Sequence, residues 1–284
     1  VPSGNEPTLV SGAVGGQPGV SFDRGTPTYL TIPDANALDA TTSGVTILTA
    51  VRPRTIGTLI SKRDDASTVG YEMDIRNQFI GPDPDDYYTE VGITVGADGD
   101  RVASGQGSTF NEVTRLLTSR SNGSASDIYI DTEQRGINGG FGGIASTTSP
   151  LGIGARSDGS EGFQGDIAEM IVFNDVLNQA QRVIVESYLA RKYSTTVATD
   201  DTVGYAYATS HPNDWAAVGQ TSLNTSTHTE ANAERLRTNA ASFSAADDRY
   251  VGFAHNGGGT EFGYETTEPV NGTSSTIVRM EREW

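Results

Sequence analysis

The chain has 284 residues, a formal net charge of −17 and no cysteine. The phosphate backbone of a nucleic acid would repel such a charge, and without cysteine the chain forms no disulfide. No apolar run reaches the roughly 20 residues that a membrane span needs, so neither nucleic-acid binding nor membrane insertion is predicted.

Residues 1–17 are rich in glycine and proline, which predicts an N-terminal arm or a first edge strand. Strands are predicted next over 45–51 and 71–76. In the second strand, large apolar residues alternate with Glu72, Asp74 and Arg76, which indicates a half-buried position in a sheet.

The segment 81–88 reads GPDPDDYY and is predicted to be a loop, because its two prolines cannot donate hydrogen bonds to a sheet ladder. Asp85, Asp86, Tyr87 and Tyr88 are its candidate carbohydrate-binding residues. Tyrosine rings stack on sugar faces, and carboxylates accept hydrogen bonds from sugar hydroxyls. An acidic, solvated turn is the other interpretation of this segment.

Residues 165–173 are apolar at most positions, which predicts a central strand covered on both faces. Glu169 is the exception to this pattern. Strict alternation would place Glu169 on one face with Ile167 and Ile171, where a carboxylate needs a partner, a metal or a wet groove.

A helix is predicted over 179–192. Asn178 can cap it, with Gln181 reaching back in a capping box. An apolar stripe at helical spacing predicts that one side packs on a sheet, while Arg182 and Glu186 lie on the other side.

Beyond residue 193 the composition becomes rich in serine and threonine, which predicts a linker before a second, smaller unit. Alternating apolar residues indicate that this unit is also β. Domains are therefore predicted over 18–196 and 197–284, after the 1–17 arm. A strand is predicted to run up to Trp284, which indicates a truncated unit.

Several motifs together resemble the laminin-G-like, concanavalin A-like family over about residues 18–196. They are a Y-L-x-I-P strand near the start, an I-Y-I-D hairpin, and a G-x-I-A-E strand that leads into a helix ending Y-L-x-x-K-Y. Arg24 departs from the glycine that usually follows Phe22 and Asp23. The resemblance implies an all-β, concanavalin A-like jelly-roll sandwich with one short C-terminal helix. The residues after 196 resemble an uncharacterised β domain of bacterial surface proteins.

The same resemblance implies calcium at the rim of a sheet, because related sandwiches often hold it there. Calcium takes about six to eight oxygen ligands from carboxylates and carbonyls. The candidate ligands are Asp23, Asp166 and Glu169, with the turn at 98–100 as an alternative.

The sequence does not predict an enzyme. Related jelly-roll glycosidases carry carboxylates on one strand in an E-x-D-x-E or E-x-D-x-x-E pattern, and no such triplet occurs here. Asp166 and Glu169 are predicted on opposite faces of a strand, so they could not flank one glycosidic bond. Neither a Ser-His-Asp spacing nor an H-E-x-x-H motif is present.

Two classes of function remain. The first is a non-catalytic, lectin-like or adhesive module of a secreted or cell-surface bacterial protein, with a glycan or polysaccharide as partner. The alternative is a structural subunit of an extracellular assembly or filament, in which copies of the chain self-associate by strand addition. A polysaccharide hydrolase or lyase is the third and weakest interpretation.

Overall fold

A computed structural model gives the fold of the chain. It describes residues 4–40, 44–64, 69–79, 87–95, 101–103, 112–139, 144–195, 213–220, 227–228, 230–233, 236–239, 249–255, 262–270 and 273–280. Within these ranges, no helix has the length and apolar character needed to cross a bilayer.

The chain forms two compact units. The first contains Val1–Leu177 and Lys192–Asp201, and the second contains Asn178–Arg191 and Thr202–Trp284. This division assigns most of the α-helix Gln179–Lys192 to the second unit, whereas the sequence predicted that helix within the 18–196 domain. A short 3-10 helix over Asn36–Leu38 belongs to the first unit.

The described strands of the first unit form two antiparallel sheets. In chain order they are β1 (Thr8–Val14), β2 (Gln17–Phe22), β3 (Leu30–Ile32), β4 (Val45–Pro53), β5 (Gly57–Asp64), β6 (Val69–Phe79), β7 (Tyr87–Val95), β8 (Arg101–Ala103), β9 (Arg115–Ser121), β10 (Ala125–Ile130), β11 (Glu133–Gly139), β12 (Leu151–Ile153) and β13 (Gly165–Phe173). One sheet has seven strands in the order β1-β2-β13-β4-β9-β10-β11, and the other has six in the order β3-β12-β5-β6-β7-β8. The predicted all-β sandwich is therefore confirmed.

Apolar side chains from both sheets form one core. The seven-stranded sheet contributes residues such as Val45, Ile47 and Leu117, and the six-stranded sheet contributes Met73 and Ile93. Because side chains alternate along a strand, the residues between these core positions lie on the outer face of each sheet.

Of the alternatives for the N-terminal arm, the structure has the edge strand. β1 pairs with β2 and is the outermost strand of the seven-stranded sheet. The central position predicted for residues 165–173 is confirmed, since β13 lies between β2 and β4. From Ala168 onward, however, β13 is only half-buried.

The second unit contains α1 (Gln179–Lys192), apart from its last residue, and the remaining described strands. These strands are β14 (Asn213–Gln220), β15 (Thr227–His228), β16 (Glu230–Ala233), β17 (Leu236–Asn239), β18 (Arg249–His255), β19 (Phe262–Val270) and β20 (Thr273–Met280). Val183 and Ile184 of α1 pack on Ala217 of β14. The predicted extension of the last strand to Trp284 lies outside the described residues.

The predicted helix and its cap are both confirmed. The Gln181 amide donates to the Asn178 side chain, and the Asn178 amide donates to the Gln181 side chain, each at 3.0 Å. The polar side of α1 differs from the expectation, because Arg182 and Glu186 are fully buried as an ion pair with each other. Two opposite charges one helical turn apart neutralise each other, which permits their burial.

Candidate functional site

The outer face of the six-stranded sheet carries charged side chains. On β6, Tyr71 and Met73 belong to the core, so the alternate residues Glu72, Asp74 and Arg76 lie on the outer face. We call these three residues together with Arg156 the outer-face cluster.

The carboxylates of the outer-face cluster are buried although they lie outside the core. Glu72 is 0% exposed and Asp74 is 1% exposed, so the half-buried position predicted for this strand is wrong. Glu72 lies between Ser61 of β5 and Thr94 of β7 in the sheet ladder, and both neighbours are buried as well. β6 is thus covered on both faces from Gly70 to Ile75.

Two arginines hold Glu72. Arg156 donates from Nε to Oε2 at 2.7 Å and from Nη2 to Oε1 at 3.0 Å, which is a bidentate pair. Arg76 donates from Nη2 to Oε1 at 3.3 Å, and its Nε lies 2.5 Å from Oδ2 of Asp74. The four side chains form one ion-pair network.

Glycine explains how Arg156 reaches Glu72. Gly152 of β12 lies in the same ladder row as Ser61 and Glu72. A Cβ on Gly152 would come within 2.4 Å of the Ala155 carbonyl oxygen. Only a residue without a side chain lets the following loop lie directly against the outer face of the sheet.

Backbone hydrogen bonds fix this loop, which spans residues 154–164. The Arg156 amide donates to the Ser160 carbonyl at 3.0 Å, and the Thr58 amide of β5 donates to the Glu161 carbonyl at 2.8 Å. The Ser160 hydroxyl donates to Asp158 and lowers the pKa of that carboxyl below its usual range. The turn therefore keeps a charged carboxylate beside Arg156 at neutral pH.

The network determines which chemistry the cluster can perform. Both oxygens of Glu72 accept hydrogen bonds from guanidinium groups. The side chain of Arg76 is 41% exposed and that of Arg156 is 17% exposed. The cluster thus presents hydrogen-bond donors of fixed orientation to solvent beside buried acceptors.

Two of the four predicted carbohydrate-binding residues lie on β7, which pairs with β6. Asp85 and Asp86 are outside the described residues, while Tyr87 and Tyr88 begin β7. Tyr88 is paired with Gln78, and Glu90 is paired with Arg76. Along the strands, the backbone of Tyr88 is therefore two residues, or about 7 Å, from the row that contains Arg76. A sugar-binding role for these four residues stays a prediction.

β13 departs from regular alternation, which changes the position of the predicted metal ligands. Ile167 is paired with Val51, but Glu169 is paired with Ala50, so Ala168 forms a β-bulge. Glu169 consequently shares the outer face with Asp166 and not a face with Ile167. The prediction that Asp166 and Glu169 lie on opposite faces is wrong.

Both carboxylates on β13 have protein partners. Each oxygen of Asp166 accepts a hydrogen bond at 3.1 Å from Arg54. Oε2 of Glu169 accepts hydrogen bonds from Lys192 at 2.8 Å and from the Tyr193 hydroxyl at 2.9 Å. Each of these carboxylates thus has a protein cation as a partner.

Asp23 stabilises a turn. Its Oδ1 accepts from the Gly25 amide at 2.8 Å, and its carbonyl accepts from the Thr28 amide at 3.0 Å. In the part of the chain that the structure describes, no group of three or more His, Cys, Asp or Glu residues could hold a metal ion. The alternative turn at 98–100 lies outside that part. A calcium site stays a prediction.

Sequence reasoning missed the outer-face cluster as a site. The alternation of Glu72, Asp74 and Arg76 is visible in the sequence. Glu72 and Asp74 have the spacing of the first two carboxylates in the E-x-D-x-E glycosidase pattern. No local pattern could show that Arg156, 84 residues away, completes the network.

A known family matches the sandwich from β3 to β13. Residues 24–181 match the laminin G family within the concanavalin A-like lectin/glucanases superfamily. Because this match covers more than half of the chain, the protein belongs to that superfamily. Comparison with curated protein sequences finds no match.

Several solved structures are similar to the chain in fold alone. The binding domain of Paraclostridial Mosquitocidal Protein 1 is 10% identical, with a TM-score of 0.49 over 64% of this chain and 46% of that chain. The chain therefore spans about half the length of that protein. Domain 4 of an extracellular arabinanase from Geobacillus stearothermophilus, solved with arabinotriose, is 13% identical, with a TM-score of 0.46 over 63% of this chain and 80% of that chain. A pentraxin from Limulus polyphemus is 14% identical, with a TM-score of 0.42 over 56% of this chain and 81% of that chain.

Proposed function

We propose that the chain is a non-catalytic carbohydrate-binding module of a secreted or cell-surface bacterial protein, and that a glycan binds at the outer-face cluster. The supporting observation is the ion-pair network of Glu72 with Arg76 and Arg156. The buried carboxylates orient the exposed guanidinium of Arg76, so its N–H donors can meet the hydroxyls of a sugar at a small cost in side-chain ordering.

The absence of catalysis rests on the same network. An inverting or retaining glycosidase needs two carboxyl groups, one of which gives a proton to the leaving oxygen. Here both oxygens of Glu72 accept hydrogen bonds from guanidinium groups, and Arg76 stands where the glycosidase triplet has its third carboxylate. These features favour binding over hydrolysis.

Replacement of Arg76 by Ala is expected to weaken glycan binding at least about tenfold, or about 1.4 kcal/mol. A glycan array identifies the ligand, and isothermal titration calorimetry measures the change. Arg135→Ala is the matched control. The Arg135 side chain is 42% exposed and pairs with Glu133 on β11 of the other sheet, so binding should not change.

Tyr88→Ala is expected to weaken binding in the same assay if the hairpin end forms part of the site. Equal affinities for Arg76→Ala and Arg135→Ala would place any glycan site elsewhere. An array without a binding glycan would reject the proposed function.

A second candidate function, a subunit of an extracellular assembly, is supported by the edge strand β1. Its sequence TLVSGAV carries no charge, and Leu9 and Val10 are 74% and 38% exposed. β11, at the opposite edge of the sheet, carries the charged pair Glu133 and Arg135. Charges protect an edge from pairing, and an uncharged edge invites a further strand. The proposed partner is β1 of a second copy.

Leu9→Lys is expected to abolish such an assembly, since a lysine on an edge strand opposes pairing with a further strand. Light scattering of the wild type should show a mass that rises with protein concentration. It should also rise with salt, which screens the net charge of −17 on each copy. A wild type that stays monomeric under all these conditions would end this proposal.

Calcium remains a separate proposal for Asp23, Asp166 and Glu169. If it binds the folded chain, a chelator should lower the melting temperature and calcium should restore it by mass action. Differential scanning fluorimetry measures both effects, and Glu169→Gln should reduce the calcium response. Identical melting curves with and without chelator would exclude a stabilising ion.

A further inference from the structure

Lys62 is an ammonium group buried inside the first unit. The chain contains 19 lysine and arginine residues, and only Lys62 and Lys192 are lysines. Arginine serves in other buried or half-buried ion pairs, such as Arg54 with Asp166. Lys62 lies on β5 with its side chain 0% exposed. A primary amine, which unlike a guanidinium can lose its proton and act as a nucleophile, therefore occupies an enclosed position.

Four oxygen atoms surround Nζ of Lys62. Oδ1 of Asp34 lies at 2.5 Å, and the carbonyl oxygens of Thr147 and Ser149 each accept a hydrogen bond at 3.0 Å. Oδ1 of Asp39 lies at 3.2 Å. The amine thus contacts one carboxyl group directly and has a second carboxylate beside it.

Asp39 is the unusual member of this group. Its Oδ1 is buried and makes no hydrogen bond of acceptable geometry, although it lies next to the ammonium. A buried carboxylate oxygen without a hydrogen bond destabilises the folded state. Its presence in the fold therefore calls for an explanation, such as a chemical role. At 3.2 Å from Nζ, this oxygen is close enough to receive a proton from the amine after a small rotation.

We propose that Lys62 and Asp34 form an intramolecular amide bond, with Asp39 as the proton-transfer group. The nitrogen attacks Cγ of Asp34, a C–N bond forms, and a C–O bond of that carboxyl group breaks. Asp39 passes two protons from the nitrogen to the departing oxygen. The sum is an ammonium and a carboxylate giving an amide and one water molecule, with Asp39 unchanged.

The two carbonyl groups orient the nucleophile. A neutral amine has two N–H donors and one lone pair. When Asp39 has taken one proton, the carbonyls of Thr147 and Ser149 can hold the two N–H groups that remain. The lone pair then points away from them, toward Asp34. Reacting groups held this close react far faster than the same groups free in solution.

The surroundings disfavour separated charges. Tyr71, beside this group, donates its hydroxyl to the Leu38 carbonyl at 3.0 Å. Burial raises the pKa of Tyr71 far above its usual range, and the charge of Asp39 adds to that rise. Tyr71 therefore stays a neutral hydroxyl beside Asp39.

The bond would join two segments that are 28 residues apart in the chain. The connection between β3 and β4 would then be attached covalently to β5. This restraint would persist when the domain unfolds, as a disulfide does, in a chain without cysteine.

The test is the intact mass of the purified, folded full chain under denaturing conditions. We expect a mass one water molecule below that of the sequence. Tryptic mapping of the wild type should give one branched peptide that joins Asp34 to Lys62, since trypsin does not cleave after an acylated lysine. This result needs no variant.

Two variants locate the chemistry. Lys62→Arg keeps the charge but cannot form the bond, so it should have the full mass of its own sequence. Asp39→Asn keeps both reacting side chains and should also have its full mass. A folded wild type of full mass, a branch between any other residues, or a water loss that persists in Lys62→Arg overturns the proposal. A branched Asp39→Asn chain overturns the role of Asp39.

Discussion

Replacement of Glu72 by Ala is expected to lower the free energy of unfolding by about 3–5 kcal/mol, because it removes one member of a buried ion pair. Glu72 is 0% exposed and accepts hydrogen bonds from both Arg156 and Arg76. Without it, the Arg156 side chain would remain partly buried without its bidentate acceptor. Chemical denaturation followed by circular dichroism measures the loss.

Glu133→Ala is the matched control for this prediction. Glu133 also pairs with an arginine, Arg135, at 2.6 Å, but the two side chains are 55% and 42% exposed. Exposed pairs contribute about 0–1 kcal/mol, because water solvates both charges when the pair is broken. Equal losses in the free energy of unfolding for the two variants would show that burial does not determine how much the outer-face cluster stabilises the fold.

Gly154→Ala is expected to destabilise the domain by about 2–5 kcal/mol, as the sum of backbone strain and steric overlap. Gly154 has a φ of +80°, a conformation that disfavours any residue with a Cβ. A Cβ at this position would lie 2.0 Å from the ring of Phe22. Phe22 is a core residue that is 1% exposed, so its ring has no room to move.

Gly16→Ala separates the two contributions. Gly16 has a φ of +81°, but a Cβ there would meet no atom within 4 Å. This variant should therefore lose only the stability that backbone strain costs, about 1–2 kcal/mol. If both variants lose the same stability, overlap with Phe22 is not the cause.

Gly154→Ala also tests whether glycan binding depends on the position of the 154–164 loop. Its affinity for the glycan is measured and compared with that of Arg76→Ala.

The sequence determined those features that depend on neighbouring residues. The helix at Gln179–Lys192 and its Asn178 cap were predicted correctly, because a capping box joins residues only three positions apart. The bounds of Gly165–Phe173 were also predicted, since a continuous apolar run contrasts with the turns around it. Repeated strand patterns and family motifs together predicted the sandwich fold.

Alternation alone failed where the tertiary structure altered the periodicity. The bulge at Ala168 moved Glu169 to the outer face with Asp166, and a single inserted residue leaves no clear trace in a sequence. Glu72 was expected on a half-exposed face and is fully buried. The loop that covers it packs there because Gly152, on a different strand, has no side chain.

Only the tertiary structure could bring together the groups that carry the proposed chemistry. Arg156 meets Glu72 across 84 residues of sequence, and Lys62 meets the Ser149 carbonyl across 87. Such contacts are set by the order of strands in the sheets and by loop closure, neither of which leaves a periodic signal in the sequence. The sequence therefore determined the class of fold and the local elements, while the packing of the two sheets and their loops decided which charged groups are buried and which lie together.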